Sequence, residues 1–166
     1  RSTRKESSAA SDVYKRQMLH SEDPKQMFIN QGFPVSVEAQ FLGGSGQGDR
    51  PTLNMCSPGT EVNINTSNYN IEPRFRASMH CINSNSKTYH KDDWVSVDLV
   101  VYSDSIIHHI IGKDTVISYT NIKYGGTYLS DNFVDNVGEP LKEGYLSLQS
   151  EGHPIEFRNI MIKELD

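Results

Sequence analysis

Residues Trp94–Tyr102 read WVSVDLVVY, and they are followed by Ser105–Ile111 (SIIHHII), the turn Gly112-Lys113-Asp114, and Thr115–Tyr119 (TVISY). Side chains alternate sides along an extended chain, so Val95, Val97, Leu99 and Val101 share one apolar face. The next two runs, joined by a turn that starts with glycine, read as a hairpin. Trp94 opens an apolar strand, which favours core packing for it over a sugar-stacking role.

The same alternation appears upstream in Pro34–Gly44 (PVSVEAQFLGG). Val35, Val37, Ala39 and Phe41 fall on one side; Ser36, Glu38 and Gln40 fall on the other. The stretch 43–50 (GGSGQGDR) is a loop. It lacks the G-x-G-x-x-G pattern, and no helix follows it, so dinucleotide binding has no support. Short strands are expected near Leu53–Cys56, Glu61–Ile64 and Arg76–Ile82. Residues 121–143, rich in Gly, Asn and Asp, read as a long excursion. Tyr145–Gln149 and Ile155–Leu165 close the chain as strands about a Gly152/Pro154 turn. Residues 18–32 read as a loop with a short helical turn near Pro24–Phe28. Nothing shows a sustained helical stripe, so the expected class is all-β, a sandwich or jelly roll.

The chain has 166 residues, enough for one domain with a real core. It carries 16 Lys and Arg against 21 Asp and Glu, a net charge of -5, with no basic stripe, which argues against nucleic acid as the partner. No apolar run approaches the ~18–20 residues that span a bilayer. The segment Ser7–Gln17 (SSAASDVYKRQ) resembles the conceptual translation of a transposon-based sequencing adapter. Residues 1–17 are therefore expected to be an adapter read-through, or else a disordered tail, and are set aside as a tag would be. They hold five basic and two acidic residues, so the remainder carries 11 and 19, a net charge of -8. Residues 18–166 are treated as one domain, or the C-terminal portion of one, with its first strands and any signal peptide missing.

Several residues could carry chemistry. Glu38 and Gln40 share a polar sheet face, where a carboxylate and an amide can bind sugar hydroxyls; an ordinary solvated face is the alternative. Tyr145, Ser147 and Gln149 oppose Leu146 and Leu148, and Glu156 and Arg158 oppose Ile155 and Phe157. An arginine on such a face can give a two-pronged donor, or make a surface ion pair worth at most ~1 kcal/mol. The six histidines are scattered, and His108 and His109, being adjacent in a strand, point to opposite faces. Neither H-E-x-x-H nor H-x-H occurs, so no metal site is expected. His153, in the turn Glu151-Gly152-His153-Pro154, suits acid–base work with an unperturbed pKa of ~6.5, or is a plain turn residue. Cys56 and Cys81 are read as a disulfide, with two buried thiols as the alternative; the bond would imply an oxidising compartment. Asn65-Thr66-Ser67 fits a glycosylation sequon that is common by chance.

Taken together, PVSVEAQFLGG, MCSPGT, MHCINSNSKTYHKDDWVSVDLVVYSDSIIHHIIGKDTVISY and GYLSLQSEGHPIEFRNIMIKEL resemble the 3-keto-disaccharide hydrolase domain family over roughly residues 33–165. The resemblance implies a concanavalin A-like jelly roll in a secreted or periplasmic bacterial protein that processes carbohydrate. It implies hydrolysis of 3-keto-disaccharides or 3-keto-glycosides by elimination and then hydration, a route that needs a base and an oxyanion stabiliser. On strand parity and motif position, Glu38 or His153 takes the base role and Arg158 the oxyanion role. Gln40, Gln149 and Glu151 are then expected to bind substrate. Glu38, Gln40, Gln149 and Arg158 would look into one hollow. No cofactor is called for, and a divalent metal is left open. The competing readings are a non-catalytic carbohydrate-binding module and a structural sandwich attached to a larger enzyme.

Overall fold

The computed structural model describes residues 2–9, 14–64, 75–76, 81–90, 93–151 and 156–165, with the backbone course alone for 2–9, 14–15, 75–76, 93 and 151. Strands β1 (Ser2–Ala9), β2 (Tyr14–Ser21), β3 (Val37–Leu42) and β4 (Asn54–Cys56) come first. Then follow β5 (Thr60–Ile64), β6 (Phe75–Arg76), β7 (Cys81–Ile82) and β8 (Asp93–Tyr102). The last four are β9 (Ile106–Ile111), β10 (Asp114–Tyr124), β11 (Tyr145–Glu151) and β12 (Phe157–Lys163). They form two antiparallel sheets, one ordered β12-β1-β8-β9-β10-β5-β6 and the other β11-β2-β3-β4-β7. The protein is an all-β sandwich. The segment expected to be adapter read-through contributes β1, between β8 and β12, and the first half of β2, between β3 and β11. Residues 18–21, read as loop, belong to β2.

The period-two reading of β8 holds. Val95, Val97 and Leu99 are buried, and they meet Val37, Ala39 and Phe41 of β3 in the core between the sheets. Trp94 is a correction: it stands on the outer face, 36% exposed, because the strand already runs through it and parity fixes it opposite Val95. Gly112 (φ 64) begins the two-residue loop between Ile111 and Asp114, a position that requires a left-handed residue. Strand β10 runs past the predicted Tyr119 to Tyr124. Its register slips between Thr115 and Ile117, so Val116 and Ile117 both turn inward. A bulge of this kind breaks the alternation on which sequence periodicity relies. The excursion that follows holds a 3-10 helix, Asp131–Asn136.

His108 and His109 take opposite faces, as adjacent strand residues must. His108 Nδ1 meets the Ser118 hydroxyl at 2.7 Å. His109 is fully buried, with Nδ1 3.0 Å from the Leu53 carbonyl and Nε2 2.9 Å from the Tyr119 hydroxyl. A carbonyl only accepts, so Nδ1 carries the proton and donates, and Nε2 accepts from Tyr119. Burial pushes the pKa of His109 down to about 4, against the Leu53 carbonyl, which favours the charged form. Burial likewise raises that of Tyr119 well above its usual value.

Gln17 pairs with Ala39 and Leu148 in register, which places it on the core side of its sheet. It is 0% exposed, and neither its amide nitrogen nor its amide oxygen has a hydrogen-bond partner among the described residues. An amide buried without partners costs about 1–3 kcal/mol.

Two outcomes follow from the core. Gln17→Leu should raise stability by roughly 1–2 kcal/mol, read as a higher urea midpoint with unchanged slope. Between pH 6.5 and about 4 the unfolded chain protonates His109's imidazole while the folded chain does not. Its contribution is therefore intact above pH 6.5 and falls away on acidification, by roughly 3 kcal/mol in full. Urea unfolding of His109→Gln over the same range should show a slope shallower by about one proton.

Candidate functional site

The outer face of the five-stranded sheet carries a row of polar side chains fixed by register. Gln149 on β11 lies opposite Arg16 on β2, Arg16 opposite Gln40 on β3, and Gln40 opposite Asn54 on β4. Glu38 lies opposite Met18 and Cys56, and Cys56 opposite Cys81, with which it forms a disulfide. The solvated-face alternative fails, because Ser36 and Glu38 are 0% exposed and Gln40 is 5% exposed.

Inside this enclosed row the Arg16 guanidinium pairs with Glu38. Its Nε lies 3.0 Å from Oε1, and Nη1 donates to Oε2 at 3.4 Å. The ring of Phe33 lies over the guanidinium at 4.9 Å, and Tyr128 meets Phe33 edge-on at 5.5 Å. Glu22 anchors the loop that carries Phe33, accepting from the Val35 amide at 2.7 Å and from Gln31 at 3.0 Å. Asn54 Oδ1 accepts from the Ser84 backbone amide at 2.9 Å, so Nδ2 donates to Gln40 Oε1 at 3.2 Å. That chain leaves the Gln40 amine pointing its hydrogens elsewhere. Glu38, Gln40 and Gln149 thus share a face, and the backbone of Glu151 continues the row in register.

Arg158 does not join them. Strand β12 belongs to the other sheet, where Arg158 lies opposite Glu6 and, beyond it, Ser96. Phe157 turns inward, edge-on to Phe41 at 6.4 Å, and Arg158 turns outward to stack on Trp94 at 4.0 Å. The expected parity was right, but the sheet was not: the sandwich core separates this guanidinium from Glu38, and the common hollow loses it. His153 and the sequon Asn65-Thr66-Ser67 lie outside the described residues.

A second feature has no counterpart in the sequence reading. At one end of the sandwich, Leu19 of β2 and Val101 of β8 border a cavity of about 500 Å³, with His20, Ser103, Lys142 and Tyr145 on its wall. His20 (φ 50) and Ser103 (φ 48) both hold left-handed backbone, unusual for residues other than glycine. His20 Nε2 lies 3.1 Å from the Ser103 carbonyl, so Nε2 is the protonated nitrogen and Nδ1 keeps its lone pair. Burial lowers the pKa of His20, against the Ser103 carbonyl and the Asp104 and Glu143 carboxylates. Gly144 passes so close that a Cβ there would fall 2.5 Å from the His20 carbonyl carbon. No periodicity or spacing signals the approach of residues 20, 103 and 144, since the contact is made by chain ends from three strands.

Among the described residues, no three His, Cys, Asp or Glu side chains group closely enough to hold a metal ion, and no helix is long and apolar enough to cross a membrane. The class defined so far is a two-sheet β-sandwich with an enclosed polar face and one open end. The chain belongs to the 3-keto-alpha-glucoside-1,2-lyase-like domain family, whose model matches residues 4–163. Searches among curated proteins and among solved structures found no match.

Removing the Glu38 charge takes the buried carboxylate away from the Arg16 guanidinium. Glu38→Gln is expected to cost roughly 3–5 kcal/mol in urea unfolding, and Arg16→Met combined with Glu38→Leu should recover most of it. Equal, additive losses in that cycle would show that the two groups do not act as a pair.

Proposed function

We propose that this protein cleaves glycosides whose sugar ring carries a ketone at C3, by elimination followed by hydration. The observation that carries this reading is the family match over residues 4–163. The chemistry is self-consistent. The ketone acidifies the hydrogen on C2, the resulting enolate expels the oxygen on C1, and water then adds across the new double bond. Such a route needs one base and one stabiliser of the enolate oxygen, not the paired carboxylates of ordinary glycosidases. Supporting it on the polar face are Glu38, Gln40 and Gln149, which share a side of one sheet. Glu38 is enclosed and paired with Arg16, so a base role for it requires the cover of that face to lift. Arg158, on the far sheet, is dropped as the oxyanion partner of that group. A periplasmic or secreted location is part of the proposal, supported by the Cys56–Cys81 disulfide.

The second reading, a carbohydrate-binding module without catalysis, is favoured by the same enclosure of Glu38. The two separate on methyl 3-keto-α-glucoside in deuterated water. The enzyme releases methanol and places deuterium at C2 of the sugar product; a module binds the sugar and leaves both bonds intact. Absence of methanol release from folded protein would defeat the catalytic reading.

A further inference from the structure

Of the groups singled out from the sequence, Arg158 stands on the other sheet and Glu38 is enclosed against Arg16, whereas the open end of the sandwich brings several functional groups to a single cavity. We propose that this cavity is the saccharide site, with His20 Nδ1 as the proton acceptor and the Lys142 ammonium facing the enolate oxygen. The inference rests on the reading under Proposed function and deepens it.

Four observations carry it. The volume, about 500 Å³, lies in the range of small-molecule sites. Its wall is mixed, with Leu19, Val101 and Leu146 set against Ser103, Lys142, Glu143 and Tyr145, which suits a pyranose with its apolar ring faces and hydroxyl rim. Hydrogen bonding to the Ser103 carbonyl fixes the tautomer of His20, so its other nitrogen is a base without a partner among the described residues. Two left-handed non-glycine residues, His20 and Ser103, are held at this one place, and such backbone persists only where the surroundings enforce it.

The step balances. His20 Nδ1 takes the C2 proton, and the C–H electron pair forms the enolate, its oxygen charge offset by Lys142. The enolate collapses to re-form the C3 ketone and a C1–C2 double bond, expelling the alkoxide. The alkoxide takes the proton from His20, which returns neutral. Water adding hydroxyl to C1 and hydrogen to C2 completes the hydrolysis.

The full chain is first titrated with methyl α-glucoside while the imidazole resonances are followed. Those of His20 should shift to saturation while those of His108, on the outer face, stay put; an unmoved His20 overturns the saccharide site. Turnover of methyl 3-keto-α-glucoside is then compared with that of His20→Asn. Asparagine tolerates left-handed backbone and is no base, although its shorter amide does not reach the Ser103 carbonyl as Nε2 does. Methanol release and C2 deuteration should both fall at least about 100-fold with the thermal transition retained. Lys142→Met, at an exposed position, gives a second arm should His20→Asn fail to fold, with a loss of about 100-fold expected. Undiminished turnover in either variant overturns the assigned role, and a loss confined to Glu38→Gln returns the base to Glu38. If His20 shifts but wild-type protein cleaves no 3-keto glycoside, the catalytic reading and the base role fall together, and the cavity stands as a binding site.

Discussion

Strand β3 is covered on both faces, and most of the molecule follows from that constraint. Val37, Ala39 and Phe41 meet Val95, Val97 and Leu99 across the sandwich. Ser36, Glu38 and Gln40 are also sealed from solvent on the other side. A carboxylate cannot be enclosed as an isolated charge, because the loss of hydration is too large. Glu38 therefore meets Arg16 through two contacts, and Gln40 sits in an amide chain that ends on the Ser84 backbone. The cover over Arg16, Phe33 backed by Tyr128, depends in turn on a loop clamped by Glu22.

Burial of polar groups recurs in the core itself, with contrasting outcomes. His109 satisfies both ring nitrogens, between the Leu53 carbonyl and the Tyr119 hydroxyl, and stays neutral. Gln17, on the core side of the other sheet, satisfies neither end of its amide among the described residues. The difference is one of placement: the His109 ring reaches from β9 to Tyr119 on the neighbouring β10 and to the Leu53 carbonyl just before β4 in the facing sheet, while Gln17 lies in register with Leu148 and Ala39, which offer no side-chain polar group.

Convergence of functional groups is set by which sheet a strand joins, more than by which face its residues occupy. Arg158 has the parity expected of it, yet β12 belongs to the seven-stranded sheet and β3 to the five-stranded one. The two outer faces are separated by the core, so no substrate touches both. The open end between the sheets is different, since groups from β2, the turn after β8 and the approach to β11 meet there.

The alternations in Val35–Phe41 and Val95–Val101 determined the class of fold, the core residues of β3 and β8, and the opposed faces of His108 and His109. Each is a consequence of the two-residue repeat, which is local and survives any arrangement of strands. The resemblance in the closing LQSEGHPIEFRNI run pointed to the family that the match over residues 4–163 shows. Sheet membership, the enclosure of Glu38 and the meeting of His20 with Ser103 and Gly144 were decided only by tertiary structure. These depend on contacts between residues tens of positions apart and on left-handed backbone at His20 and Ser103, neither of which leaves a periodic trace in the chain.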